Sequence, residues 1–228
     1  MTLLALIPAA GTGTRLSGDR PKQYLEIAGR PMLWHAVRAL CVPPVEHVFI
    51  VLAPQDKAFA ALDWKAFDGK LSPLYCGGAT RRDSVFNGLV AAQAEADDWV
   101  LVHDAARPCL PNKDLQALIS DTGSDAVGGI LALPVADTVK KAAKDEGGTL
   151  RIAATEDRAQ LWLAQTPQMF RAGLLLQALQ KARRTVTDEA AAVEELGLKP
   201  RLVAGSRENI KVTYPEDVGM AAAILARR

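Results

Sequence analysis

A chain of 228 residues with 49% hydrophobic and 23% charged side chains can bury one large core and is too apolar to be a disordered segment. Its 27 basic and 26 acidic side chains leave a net charge of +1, which argues against a dedicated nucleic-acid binder but leaves room for a local cluster of cations around a small anion. The three cysteines, Cys41, Cys76 and Cys109, have no zinc or redox spacing and suit the reduced core of a cytoplasmic protein.

The apolar opening to Ile7 has no basic leader and is too short to span a membrane or act as a signal peptide. It is read as a first buried strand over 3–7. Further apolar runs of strand length follow at 47–53, 72–76, 99–103 and 126–134. Between them, segments of helical period predict helices over 31–40, 55–67, 81–94 and 112–122. The first has Pro31 at its opening position, where a missing N–H costs nothing. Continuous apolar strands alternating with amphipathic helices predict an α/β fold, a mostly parallel sheet flanked by helices that binds ligands at the carboxyl ends of its strands. After Pro134 the pattern breaks. Short half-polar strands at 138–141 and 150–154 flank Asp145-Glu146-Gly147-Gly148 and predict a protruding hairpin arm over 136–157. So little apolar surface is marginal in water, and the arm is expected to pack on a second subunit. Helices over 172–183 and 188–196, a strand over 201–204 and a helix from Pro215 complete a single domain over 1–228.

Three loops at strand ends carry candidate chemistry. In Pro8-Ala9-Ala10-Gly11-Thr12-Gly13-Thr14-Arg15, running on to Pro21-Lys22, small residues let main-chain N–H groups approach an anion. Arg15 and Lys22 add the counter-charge that a triphosphate requires. A dinucleotide fingerprint would need a third glycine at Leu16, and a P-loop would need Gly-Lys-Ser/Thr. Alone, the loop also reads as a tight turn with surface cations. Gly77-Gly78-Ala79-Thr80-Arg81-Arg82-Asp83-Ser84 exposes backbone groups able to read the edge of a base, or is simply a strand-to-helix turn with Thr80 as N-cap. Asp104, in Val102-His103-Asp104-Ala105-Ala106-Arg107, stands at the carboxyl edge of the sheet. There it could hold a hard cation together with phosphate oxygens, or cap a turn paired with Arg107. His103 is read as packing at the strand end.

Thr138, Arg158, Thr166, Thr187 and Lys211 add hydroxyls and cations further along. Thr187 also reads as a helix N-cap. Lys211 interrupts an apolar strand and must snorkel or meet an anion. With no nucleophile beside a base and no paired carboxylates, the set suits phosphoryl or nucleotidyl transfer, where positioning and charge neutralisation do most of the catalysis.

Taken in order, six motifs resemble those of the 2-C-methyl-D-erythritol 4-phosphate cytidylyltransferases. They are Pro8-Ala9-Ala10-Gly11-x-Gly13-x-Arg15 with Pro21-Lys22-Gln23-Tyr24, Gly77-Gly78-x-x-Arg81-x-x-Ser84-Val85, His103-Asp104-Ala105-Ala106-Arg107-Pro108, Gln165-Thr166-Pro167-Gln168, Thr187-Asp188-Glu189-x-x-x-Val193-Glu194, and Asn209-Ile210-Lys211-Val212-Thr213-x-Pro215-Glu216-Asp217. The resemblance runs from Leu4 to about Val218. It implies a Rossmann-like nucleotidyltransferase that moves CMP from CTP to a sugar-alcohol phosphate with Mg²⁺, in the non-mevalonate route to isoprenoids.

Carried over, the resemblance gives the CTP triphosphate to Pro8, Ala9, Ala10, Gly11, Gly13, Arg15 and Lys22. Cytosine and ribose go to Gly78, Ala79 and Ser84, with Ala105 also on the CTP side. Asp104 falls beside the metal and Lys211 beside the α-phosphate, while Arg107, Thr138, Arg158, Thr166 and Thr187 fall on the acceptor. Ala79 has no polar side-chain atoms, so a base contact there must be through backbone, and Arg82 has no assigned role. The resemblance also implies a homodimer whose swapped arm brings Thr138 and Arg158 to the partner's site. No cyclase activity, as in fused relatives, is expected of a chain ending at Arg228. The alternatives are another polyol phosphate such as ribitol 5-phosphate as acceptor, or a non-catalytic nucleotide-binding module.

Overall fold

The computed structural model describes residues 2–11, 21–182 and 186–228. The chain runs β1 (Leu3–Pro8), a ribbon of β2 (Glu26–Ile27) and β3 (Arg30–Pro31), α1 (Met32–Leu40), β4 (His47–Val51), β5 (Leu71–Leu74), α2 (Arg81–Ala91), β6 (Trp99–Val102), α3 (Asn112–Thr122) and β7 (Gly129–Pro134). It continues with β8 (Val139–Lys144), β9 (Leu150–Glu156), β10 (Trp162–Arg171), α4 (Ala172–Lys181), α5 (Glu189–Glu194), β11 (Arg201–Ala204) and α6 (Pro215–Leu225). Among the described residues the main sheet has seven strands in the order β11-β7-β10-β6-β1-β4-β5, all parallel except β10.

Strand alternation divides the core between the two faces of this sheet. Ala5 and Ile7 of β1 pack with Leu33 and Val37 of α1 and with Leu115 and Leu118 of α3. Leu6, between them, points to the other face, into a cluster with Val85 and Leu89 of α2, Leu175 and Leu179 of α4 and Val193 of α5. Burial on both faces is why β1, β4 and β6 are apolar without interruption. Each large aliphatic side chain so buried contributes about 1.5–3 kcal/mol. On α2, a Cβ added at Gly88 would strike Val51 and Leu6, so only glycine lets the helix lie this close to β1 and β4. A third cluster joins α6, through Ala221 and Leu225, to Ile27, Met32, Cys109 and Val212. It anchors the segment that carries Lys211.

The structure departs from the sequence reading in several places. No helix spans 55–67. Two short 3₁₀ turns, Phe59–Ala61 and Lys65–Phe67, stand there. Trp64 stacks on Phe59 at 4.5 Å and donates its indole N–H to the Phe59 carbonyl, taking an acceptor that a helix would use. β10 was not foreseen, because Gln165, Thr166 and Pro167 interrupt it. They form a register irregularity between Ala164 and Gln168, the kind of place where a sheet tolerates proline. β7 begins at Gly129 rather than at 126, since the Asp125 carboxylate accepts the Val127 and Gly128 amides and makes a turn.

Other boundaries shift as well. Pro31 ends the β2–β3 ribbon and precedes α1 instead of opening it. Asp188, not Thr187, caps α5 by accepting the Ala191 amide. Residues 209–213 form irregular chain and not a strand. β8 and β9 pair only with each other, and nearly all of their residues are exposed.

Candidate active site

The strand order reverses around β1, which has β4 on one side and β6 on the other, the place where open α/β sheets form ligand clefts at the carboxyl ends of their strands. A cavity of about 380 Å³ opens there. Its wall includes Pro8 at the end of β1 and Ala9, Ala10 and Gly11 after it, Lys22, Gly78 and Ala79 between β5 and α2, Ser84 in the first turn of α2, and Ala105 after β6. A second cavity, of about 210 Å³, is lined by Arg107, Ala164, Thr166 and Thr187. Arg81, Asp104 and Lys211 line both.

These three side chains form a charged partition. The Asp104 carboxylate accepts from Arg81 Nε at 3.1 Å through one oxygen and meets Lys211 Nζ at 2.8 Å through the other. Arg107 Nε lies 3.9 Å away. Burial alone would push the Asp104 carboxyl up, but Arg81, then Lys211 and Arg107, hold it well below the usual carboxylate range. Arg81 is braced from behind. Its Nη1 and Nη2 donate to the two oxygens of Glu189 at 2.6 and 3.0 Å, a fork-to-fork pair. Burial raises the Glu189 carboxyl above its ordinary value, against the pull of Arg81. Lys211 is placed by its neighbour, because the Val212 amide donates to the Ala106 carbonyl at 2.8 Å. Arg107 is buried and donates to the Asn209 and Ala164 carbonyls.

The loop after β5 is held by its own helix. Thr80 caps α2 with a reciprocal Thr80–Asp83 box. Ser84 accepts the Gly78 amide at 3.1 Å and donates to the Thr80 carbonyl at 3.0 Å. Both groups therefore shape the turn as well as line the cavity. A Cβ at Gly78 would lie 2.5 Å from Asp83 Cβ, so this close turn requires glycine. Arg82 faces away, toward Asp83 and the Ala182 carbonyl. Across the cavity, buried Gln23 donates to the Ala9 carbonyl at 2.6 Å and ties the Lys22 turn to the loop after β1.

His103 sets the orientation of Thr166. Its Nε2 faces the Arg107 carbonyl at 3.0 Å, which can only accept, so Nε2 carries the proton. Burial pushes the ring pKa down to about 4, so at neutral pH Nδ1 is an acceptor. Thr166 then donates its hydroxyl proton to Nδ1 at 3.0 Å and accepts the Asp104 amide at 2.9 Å. Thr166 lines the second cavity without a proton to offer it.

Of the residues singled out in the sequence, the structure gathers Pro8, Ala9, Ala10, Gly11, Lys22, Gly78, Ala79, Ser84, Ala105, Asp104, Arg107, Thr166, Thr187 and Lys211 around these two cavities. Thr138 and Arg158 line neither and sit exposed at the base of the β8–β9 arm. Gly13 and Arg15 lie outside the described residues. Glu189, Gln23, Gln168 and Asn209 were missed as organisers of the site. All four stand inside the six motifs, but nothing local in the sequence gives them that role. Among the described residues no three His, Cys, Asp or Glu side chains cluster as metal ligands, and no helix is long and apolar enough to cross a membrane.

The model of the 2-C-methyl-D-erythritol 4-phosphate cytidylyltransferase family matches residues 3–227. A protein of that name from Dechloromonas aromatica is 55% identical over 227 residues, covering 98% of this chain and 97% of its own. One from Laribacter hongkongensis is 56% identical over 224 residues, covering 97% and 95%. Among solved structures, the Francisella tularensis 2-C-methyl-D-erythritol 4-phosphate cytidylyltransferase superposes with a TM-score of 0.81 at 34% identity, covering 98% of this chain and 100% of that one. With the family model matching residues 3–227, relatives above 50% identical over nearly the whole chain and a solved relative of the same fold, the chain belongs to the 2-C-methyl-D-erythritol 4-phosphate cytidylyltransferase family.

Proposed function

We propose that the two cavities bring CTP and 2-C-methyl-D-erythritol 4-phosphate together across the partition of Arg81, Asp104 and Lys211, and that this is how the chain carries out its family's transfer of CMP in isoprenoid precursor synthesis. The shared partition carries the reading. A nucleotide in the larger cavity and a small phosphorylated polyol in the smaller one would meet at Lys211. A phosphate oxygen of the acceptor attacks the α-phosphorus of CTP. A new O–P bond forms, the bond to the β-phosphate bridge breaks, and pyrophosphate leaves. The acceptor phosphate is already ionised at neutral pH, so no general base is needed. What has to be overcome is repulsion between anions and the negative charge gathering at phosphorus.

Roles follow from position. The main chain of Pro8–Gly11 and Lys22 hold the triphosphate; Gly13 and Arg15, outside the described residues, join them on the sequence resemblance alone. Gly78, Ala79, Ser84 and Ala105 bound the cytidine. Lys211 faces the α-phosphate, and Arg107, Thr166 and Thr187 bound the acceptor. Asp104 lines both cavities, and one carboxylate with phosphate oxygens is a donor set that suits Mg²⁺. The residues present therefore fit the ion, with Asp104 holding it. When bound, Mg²⁺ would neutralise triphosphate charge and orient the leaving pyrophosphate.

The arm completes the reading. Leu150 and Ile152 are 69% and 68% exposed, and an isolated hairpin with such a surface calls for cover. A second copy of the chain supplies it, and Thr138 and Arg158 then serve that copy's acceptor cavity. A cytoplasmic homodimer is the reading that the free thiols of Cys41, Cys76 and Cys109 support. The test is pyrophosphate release from CTP and Mg²⁺ with 2-C-methyl-D-erythritol 4-phosphate and, in parallel, ribitol 5-phosphate. Release with neither acceptor overturns the proposal. Preference for ribitol 5-phosphate overturns the acceptor.

A further inference from the structure

We infer that Glu189 is a positioning residue for the transfer, acting through Arg81 on Asp104. The inference rests on the proposed function and adds a part to it. Glu189 opens α5 and is 1% exposed, and it lines neither cavity itself. Both of its oxygens are spent on Arg81, 108 residues away in sequence. The Arg81 guanidinium meets Asp104 on its other edge, through Nε at 3.1 Å and Nη2 at 3.0 Å. A guanidinium is planar, so two carboxylates gripping its two edges fix it in rotation as well as in place. The fixed edge orients Asp104, whose remaining oxygen sets the Lys211 ammonium at 2.8 Å. Four charged groups from the α5 N-terminus, the α2 N-terminus, the loop after β6 and the segment before α6 thus form one chain, ending at the cation that faces both cavities.

Helix capping does not explain this geometry. The amides at the start of α5 are served by Asp188, which accepts from Ala191, and by Gln168, which accepts from Ala190. Nor does stability alone. A buried ion pair is often no better for stability than apolar residues of the same volume, although removing one partner is costly. Orientation of the partition is what the pair supplies that apolar residues could not.

That contrast gives the test. Glu189→Gln, Glu189→Asp and the double variant Arg81→Met/Glu189→Met are compared with wild type for thermal midpoint, CTP binding, and kcat and KM in pyrophosphate release. The apolar pair is expected to recover the midpoint lost in Glu189→Gln. In every variant that folds, kcat is expected to fall about 10- to 100-fold, as for other groups that orient a reacting residue from behind. KM for CTP should stay within threefold in Glu189→Gln and Glu189→Asp, because Glu189 does not line its cavity; the double variant also removes Arg81 from that wall and is read by kcat alone. Turnover within threefold of wild type in the double variant overturns the inference and leaves the pair a structural one. A loss confined to KM overturns it as well. Failure of the wild type to release pyrophosphate would instead sink the proposed function, so the two failures are told apart.

Discussion

Replacing Lys211 with Met separates catalysis from folding at this site. The ammonium lies 2.8 Å from Asp104, and its side chain is 47% exposed. At that distance the gross attraction is about 6 kcal/mol for an effective dielectric of 20, but half-exposure to water and the cost of holding a long side chain cut the net to about 1 kcal/mol or less. Asp104 keeps its two bonds to Arg81, so no carboxylate is left buried and alone. The midpoint of unfolding should therefore move by only about 2–4 °C. Turnover is another matter. A fixed cation facing the phosphorus where charge develops is worth about 3–4 kcal/mol, or roughly 100- to 1000-fold. Continuous pyrophosphate release under saturating substrates, beside a thermal melt of the same sample, reads both numbers. A kcat within threefold of wild type, or a melt lowered by tens of degrees, would refute the reasoning.

Lys22→Ala should lower kcat by about the same 100- to 1000-fold with the fold intact, read by the same pair of assays; unchanged turnover would remove it from the triphosphate site. Arg158→Ala should raise KM for the acceptor more than KM for CTP, through loss of a charge-assisted contact. Mixed in equal amounts with Lys22→Ala and allowed to exchange subunits, it should recover about a quarter of wild-type activity, since half of the dimers are mixed and each holds one intact site. No recovery at any ratio would show that the arm does not reach across. His103 has a folded pKa of about 4 against about 6.5 unfolded. Its contribution to stability is thus present above pH 6.5 and lost as pH falls toward 4, about 3 kcal/mol in all. Urea titrations between pH 7 and 4 should show this slope in wild type and a shallower one in His103→Asn; equal slopes would refute the assignment.

Strand periodicity made the neighbouring strands β6, β1 and β4 legible, because β1 and β6 are apolar throughout and β4 is apolar after His47, with burial on both faces. β10 was hidden for the opposite reason. Its first three residues, Trp162, Leu163 and Ala164, are exposed, and its middle is Gln165, Thr166 and Pro167, so neither the period of a strand nor that of a helix stands out. The glycine-bearing loops could be found because strand-end glycines have few other uses. Glu189 and Asn209 could not, because their partners, Arg81 for one and Thr166 and Arg107 for the other, lie 43 to 108 residues away. Lys211 was noticed for a reason that did not hold, since its segment is no strand. It was still worth noticing, because its ammonium does meet the Asp104 carboxylate at 2.8 Å.

The partition and the two groups that flank it, Arg107 and Glu189, hold three cations, Arg81, Arg107 and Lys211, and two carboxylates, Asp104 and Glu189. One positive charge is left over before any substrate arrives. Such a cluster is a poor way to stabilise a core, so its worth has to lie in keeping cations oriented in the empty site, at no reorganisation cost when phosphate charge appears. Exposure says which of them can respond. Arg107 and Arg81 are 10% and 29% exposed at the side chain, against 47% for Lys211, and the two arginines are tied by backbone carbonyls or by Glu189. Only Lys211 has a single tie, to Asp104, and a flexible stem. Its aim therefore rests most on Asp104, and the braced arginine keeps that carboxylate, and with it the ammonium, in place before phosphate arrives.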